Sequence, residues 1–300
     1  MKYLERWPFF SALIISLLVC LFIYSILIKS STDTTIVSGN EASPILVDKN
    51  KTKKSPKVAK VKEILPATKS SQVDEKKPPP NFAAITDTKK KKRLFFEFIY
   101  THIKPINQSI LKNRKKLIRI NKQASLSDDD QEFINKLAYT YRVISEQEDT
   151  KTQAQVIDEL LIKVDVIPPA LVLAQAANES AWGTSRFATK ANNYFGIWCF
   201  KKGCGLAPLK REKNKTNQVR LFPTPRDSIL YYTKLINNSR TYQKLRNIRS
   251  AMRQNGEPIS VEPLLAGLLK YSERGKAYTK ELLSMIRHNQ LEKKYPLVNQ

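Results

Sequence analysis

Glycine, histidine and cysteine are all scarce in this chain: eight, two and three among 300 residues. Few glycines beside 52 Lys and Arg point to helices and away from a β-rich fold. Acidic residues are also short, 27 in number, which leaves a net charge of +25. Such a balance calls for an anionic partner: nucleic acid, acidic lipid or an acidic polymer. The lysine-rich runs lack the interleaved aromatics of single-strand nucleic-acid binders, so nucleic acid is not the expected partner. There is no metal signature, P-loop or dinucleotide fingerprint, and no cofactor or metal is expected. Of the three cysteines, Cys20 lies in an apolar run, while Cys199 and Cys204 share one Gly-containing loop. That pair suits a disulfide in an oxidising compartment, with half a zinc site or two free thiols as alternatives. A zinc site would need more ligands, and His102 and His288 are both far from the pair.

Residues Phe9 to Ile28 are nearly all apolar and uncharged, preceded by Lys2 and Arg6. Twenty such residues match the hydrocarbon thickness of a bilayer, and no small-residue cleavage site comes after them. Residues 1–29 therefore read as an uncleaved membrane anchor with its N-terminus in the cytoplasm. Lys29 is the only basic residue close to the distal end, which favours export of the C-terminal part of the chain. Residues 30–92 are rich in Lys, Ser, Thr and Pro, with Phe82 as the lone aromatic, and read as a disordered basic linker.

From Arg93 onward apolar residues recur at helical spacing. One stripe holds Leu94, Phe95, Phe98, Ile99, Ile103 and Ile106, although Pro105 interrupts it. A second holds Phe133, Ile134, Leu137, Ala138, Tyr141 and Val143, with Ser127 or Asp128 as its cap. Val156, Leu160, Leu161 and Val164 form a third. Pro168-Pro169 opens a helix that runs from Ala170 to Glu179 and stops near Gly183. Residues 192–222 change character, with Gly196, Gly203, Gly205 and alternating segments, and predict one or two short hairpins. Helices resume at Thr224-Pro225-Arg226-Asp227, near Ser260 and near Gly275. The expected fold class is mostly α with a small β-hairpin lobe. Its parts are a helical lead-in at 93–165, a main domain at 166–291 and a tail at 292–300.

Glu179 closes a helix that is apolar nearly all round and must be buried on most faces. Trp182, three residues on, can lie on the same helical face. An aromatic wall beside a desolvated carboxyl group raises its pKa, which keeps it protonated near neutral pH as a general acid requires. The competing reading is an ordinary exposed Glu near a helix C-terminus.

The segment Ala177-Asn178-Glu179-Ser180-Ala181-Trp182-Gly183 resembles the A-x-E-S-x-W-G signature of the bacterial glucosaminidase domain, glycoside hydrolase family 73. Asn192-Asn193-Tyr194-Phe195-Gly196-Ile197 is similar to the family's next segment, N-N-x-F-G-I, and Tyr271 to Tyr278 is similar to its late tyrosine motif. With the helical lead-in and the cysteine loop, the resemblance is nearest to Bax-type proteins of Gram-negative bacteria. It implies a lysozyme-like α domain that hydrolyses the β-1,4 bond after N-acetylglucosamine in peptidoglycan, an endo-β-N-acetylglucosaminidase. With the anchor read above, the expected location is the bacterial inner membrane, with the catalytic domain in the periplasm. The resemblance gives Glu179 the acid role and matches Tyr278 to an active-site tyrosine, against the alternative of a buried helix tyrosine. Trp182, Asn193, Tyr194, Phe195, Trp198 and Tyr271 are then candidates for the sugar cleft, each with core packing as the alternative. Glycosidases usually need a second carboxylate. Glu212 is the only acidic residue between Asn192 and Phe222, so it is the default base, the alternative being a solvated charge among Lys210, Arg211 and Lys213. If Glu212 is not the base, the backbone and Tyr278 orient water, or the substrate's acetamido group assists. Rival functions are a lytic transglycosylase of the same fold and a catalytically inactive wall-binding scaffold.

Overall fold

A computed structural model describes residues 78–145, 150–209 and 216–297. The expected anchor, Cys20, residues 30–77 of the expected linker and Glu212 lie outside the described residues. Among the described residues no helix is long and apolar enough to cross a membrane.

Helix α1 (Thr88–Ile120) is capped by Asp87, whose side chain accepts from the Lys90 amide at 3.1 Å. It runs unbroken through Pro105 and buries Phe95, Phe96, Ile99, Ile103, Ile106 and Ile110 at spacings of three and four. Residues 78–92, expected to belong to the linker, are described and partly packed. Phe82 is in the core, and the helix starts at Thr88. Phe82 packs against Gly183: a Cβ there would lie 2.6 Å from the Phe82 ring, and its φ of +76° is one that glycine adopts freely.

Helix α2 (Asp128–Thr140) is capped by Ser127, whose hydroxyl accepts from the Asp130 amide at 3.2 Å. Helix α3 (Gln153–Lys163) starts with a reciprocal Thr152–Gln155 capping box. Helix α4 (Pro169–Glu179) begins with proline at its first turn, as expected, and Pro169 to Ala177 are all buried. Its entry is pinned by a buried charge cluster. Arg253 donates twice to the Asp165 carboxylate, at 3.0 and 3.1 Å, and fully buried Arg249 donates to the carbonyls of Ile162, Asp165 and Val166. Burial opposes the charge on Asp165, but the surrounding arginines win and hold its pKa below the ordinary value.

Helix α5 (Arg186–Ala191) leads into a three-stranded antiparallel sheet of β1 (Trp198–Cys199), β2 (Gly205–Leu206) and β3 (Gln218–Arg220), in the order β1-β3-β2. Trp198 pairs with Val219, and Leu206 pairs with Val219 from the other side. A disulfide joins Cys199 to Cys204, with Cα atoms 6.2 Å apart, and closes the turn between β1 and β2. Helix α6 (Pro225–Asn238) opens on the expected Thr224–Asp227 capping box. Helices α7 (Gln243–Gln254), α8 (Val261–Leu264), α9 (Lys276–Asn289) and α10 (Leu291–Lys294) complete the chain order, with α8 and α9 starting where the sequence suggested.

One hydrophobic core runs from Phe82 to Leu291. Helix α1 packs on α4, α6 and α3, so the lead-in is part of the body that holds α4. The expected C-terminal tail also packs: the Tyr295 ring lies 4.9 Å from that of Tyr100 and 6.3 Å from that of Phe96. The mostly helical architecture with a small antiparallel sheet is consistent with a lysozyme-like domain.

Candidate active site at the end of α4

Glu179 is the last residue of α4, half-buried where the buried helix reaches the surface. Loss of water pushes its carboxyl pKa above the ordinary value. Hydrogen bonds from Tyr278 and Asn178 and the charge of Arg274 pull the other way, while Glu281 adds to the rise. The net effect is upward, the direction a general acid needs.

Tyr278, in the first turn of α9, donates its hydroxyl to Glu179. The same oxygen accepts from Gln175 Nε2 at 3.1 Å, and Gln175 Oε1 accepts from the Tyr232 hydroxyl at 2.5 Å. Gln175 lies one helical turn before Glu179 on α4, and Tyr232 comes from α6. Three elements therefore meet at one buried polar chain. Around it the rings stack: Tyr271 on Tyr278 at 5.6 Å and 9°, Phe195 on Tyr232 at 4.2 Å and 16°. The phenols of Tyr232, Tyr242 and Tyr271 all titrate above the ordinary value, through burial first and then the charges around them, Glu179 among these in each case. The carboxyl group sits in a tyrosine-lined niche.

Trp182 is placed differently from the sequence expectation. The helix ends at Glu179, and Ala181 and Trp182 both take left-handed backbone (φ 48° and 59°), so helical phase does not carry past Glu179. The Trp182 ring packs on Phe96 at 5.1 Å and on Phe95 at 5.9 Å, with the Lys92 ammonium 5.0 Å from its centroid. It ties the turn after Glu179 to α1.

The loop 192–197 faces the acid through its backbone. Gly196 has a φ of +63°, and a Cβ there would stand 3.6 Å from Glu179 Oε2, so glycine keeps the approach to the carboxyl open. Asn193, expected in the cleft, is instead a buried staple. Its Nδ2 donates to the carbonyls of Ile197 and Arg220, both at 2.9 Å, and its Oδ1 accepts from the amides of Phe195 and Ile197. All four of its hydrogen-bonding positions are taken by backbone, which leaves none for a sugar. Tyr194 is likewise in the core, against Phe95 and Phe98 of α1. Phe195 supports Tyr232, and its carbonyl accepts from the Tyr271 hydroxyl at 3.0 Å. Trp198 is the cleft candidate that keeps an accessible ring, at 37% exposure, on a lobe that also exposes Phe200 and Leu221.

The described carboxylate that Glu179 senses is Glu281, one turn beyond Tyr278 on α9 and ion-paired with Arg274. The sequence alone did not single out Gln175, Tyr232, Arg274 or Glu281. A polar residue inside an otherwise apolar buried helix was the one available signal, for Gln175. Among the described residues no group of histidine, cysteine and acidic side chains is arranged to hold a metal ion.

Residues 154–291 match the model of the glucosaminidase family, described as mannosyl-glycoprotein endo-beta-N-acetylglucosaminidase. The chain is also 29% identical over 200 residues to Protein bax of Escherichia coli (strain K12), a match covering 67% of this chain and 70% of that protein. No solved structure matches.

Proposed function

We propose that this glucosaminidase-domain chain is a peptidoglycan hydrolase that cleaves the β-1,4 bond after N-acetylglucosamine, with Glu179 as general acid. The observation that carries the reading is a partly desolvated carboxyl at a helix end, raised in pKa and bonded by Tyr278, within the matched family region. A protonated Glu179 hands its proton to the leaving glycosidic oxygen, and Tyr278 steadies the carboxyl as charge develops. The chain's net charge of +25 suits an anionic polymer better than a neutral glycan. Trp198 offers an apolar ring face to a sugar. Glu212 is the proposed base. We also propose an inner-membrane anchor at residues 1–29 with the catalytic domain in the periplasm, where the Cys199–Cys204 disulfide is stable.

The test is the purified chain on peptidoglycan, wild type beside Glu179→Gln. Wild type should release new N-acetylglucosamine reducing ends, and Glu179→Gln should lose roughly three orders of magnitude in rate. Equal rates would end the assignment. One observation favours a second reading, the lytic transglycosylase: Glu281, the described carboxylate near Glu179, is already tied to Arg274. Mass spectrometry separates the two, because transglycosylation leaves an anhydro-muramyl end and hydrolysis adds water.

A further inference from the structure

We infer that Gln175 is a positioning residue: it fixes the direction of the Tyr278 hydroxyl and thereby decides which oxygen of Glu179 carries the acid proton. The catalytic consequence rests on the hydrolase reading above; the polarity of the chain rests on the Gln175–Tyr278 and Tyr232–Gln175 hydrogen bonds and on the interaction of Tyr278 with Glu179.

Gln175 is fully buried, as is Tyr232, and Tyr278 is nearly so. A buried glutamine in an apolar helix costs stability unless its amide is satisfied. Here both ends are used, one on each tyrosine. The direction of the chain is set by Glu179. An ionised carboxylate only accepts, so Tyr278 must donate to it. The Tyr278 oxygen then has to accept from its other neighbour, which puts Gln175 Nε2 on that side. Gln175 Oε1 is left for Tyr232, whose hydroxyl must donate. Each bond polarises the next, so Tyr278 becomes a stronger donor than an isolated phenol.

When Glu179 takes up its proton, the same polarity persists. Tyr278 still donates, so the oxygen it touches remains the acceptor and the proton sits on the other oxygen. Removing the Gln175 donor frees Tyr278 to rotate or to accept from Glu179 instead, and the acid proton can then point inward. The groups that face the carboxyl are Tyr278 and Glu281 of α9, Arg274 and Tyr271 of the turn before it, Tyr232 of α6 and Tyr242 ahead of α7. Of these, Tyr278 is bonded directly to both Glu179 and Gln175.

The experiment uses the full chain with Gln175→Leu, and with Gln175→Leu/Tyr232→Phe, each made in the wild type and in Tyr278→Phe. The double variant matters because Gln175→Leu alone strands the buried Tyr232 hydroxyl and can fail to fold. Phenylalanine at 232 removes that orphan and keeps the stack on Phe195. The first readout is titration of the Glu179 carboxyl by carbon-13 NMR, assigned with Glu179→Gln. Its midpoint should rise by about 0.5 unit in the double variant, because Tyr278 donates less strongly. The second is hydrolysis of peptidoglycan against pH: kcat should fall roughly 10-fold or more with KM little changed. The limb that falls with rising pH should move upward with the carboxyl. Both effects should vanish in the Tyr278→Phe background. A wild-type titration in the double variant, or an undiminished shift without the Tyr278 hydroxyl, would overturn the inference. If wild type does not cut, or Glu179→Gln cuts as wild type does, the hydrolase reading fails while the carboxyl titration still decides the role of Gln175.

Discussion

His102 should make the fold lose stability in acid. It lies on α1, 6% exposed, edge-on to Phe98 at 5.1 Å, and neither ring nitrogen has a hydrogen-bond partner. Burial, and secondarily the charge of Arg226, pushes its pKa from 6.5 down to about 4. The folded value is the depressed one. The stabilisation is therefore complete above pH 6.5 and drains away as pH falls toward 4, because the unfolded chain takes up the proton first. At about 1.4 kcal/mol per unit, the loss across that window is about 3 kcal/mol, a large share of a typical domain's stability. The perturbation is His102→Leu, of similar volume and without polar atoms. At pH 7 it should already gain on the order of 1 kcal/mol by removing two orphaned nitrogens. By pH 4.5 the gap should widen by most of the additional 3 kcal/mol. Urea unfolding of both chains at half-unit steps from pH 7.5 to 4.5 measures it, since the other titratable groups are common to the two. Parallel stability curves would refute the reasoning and would mean that the imidazole is hydrated or partnered in solution.

Asn193→Ala should act on stability before it acts on sugar binding. Losing four buried bonds to the backbone should cost about 3 kcal/mol in urea unfolding, with KM unchanged in the folded protein. A raised KM at unchanged stability would restore Asn193 to the cleft. A chain cut to residues 150–300 should not fold. It loses Phe95, Phe96, Ile99, Ile103, Ile106 and Ile110 from the shared core, each worth about 2 kcal/mol of burial. A cooperative, soluble fragment with a sharp melting transition would show that α1 is dispensable. Glu179→Gln should raise the melting temperature at neutral and alkaline pH and leave it unchanged well below pH 4.5. The folded carboxyl is raised in pKa, so its ionisation opposes the fold as pH rises through that value. A uniform shift at all pH values would mean that the gain comes from something other than the charge.

The helices were legible because their signals are local. Ser127, Pro169 and the Thr224–Asp227 pair each mark a start that the structure keeps, and the apolar stripes supply the faces. The burial of Phe82 was hidden because it packs against Gly183, about a hundred residues away in sequence. Trp182 was misplaced by extending helical phase two left-handed residues too far. Asn193 and Tyr194 looked like ligands because polar and aromatic side chains near a carboxylate suit a sugar. Their partners proved to be the backbone of that loop and of β3, and α1.

The site itself divides along the same line. The acid announces itself by ending a buried helix, which needs only neighbours in sequence. What tunes the acid comes from far off: Gln175 meets Tyr232 across 57 residues and Tyr278 across 103. A buried polar chain of this kind is stable only if every link is satisfied. The packing that brings α6 and α9 to the end of α4 is therefore part of the chemistry. Helix α1 belongs to that packing, since Phe95 and Phe96 support Trp182 in the turn after Glu179, although the family match begins only at residue 154. The consequence is that a substitution in α1 that leaves the chain folded but shifts this turn should move the titration of Glu179 without touching any group within bonding distance of it.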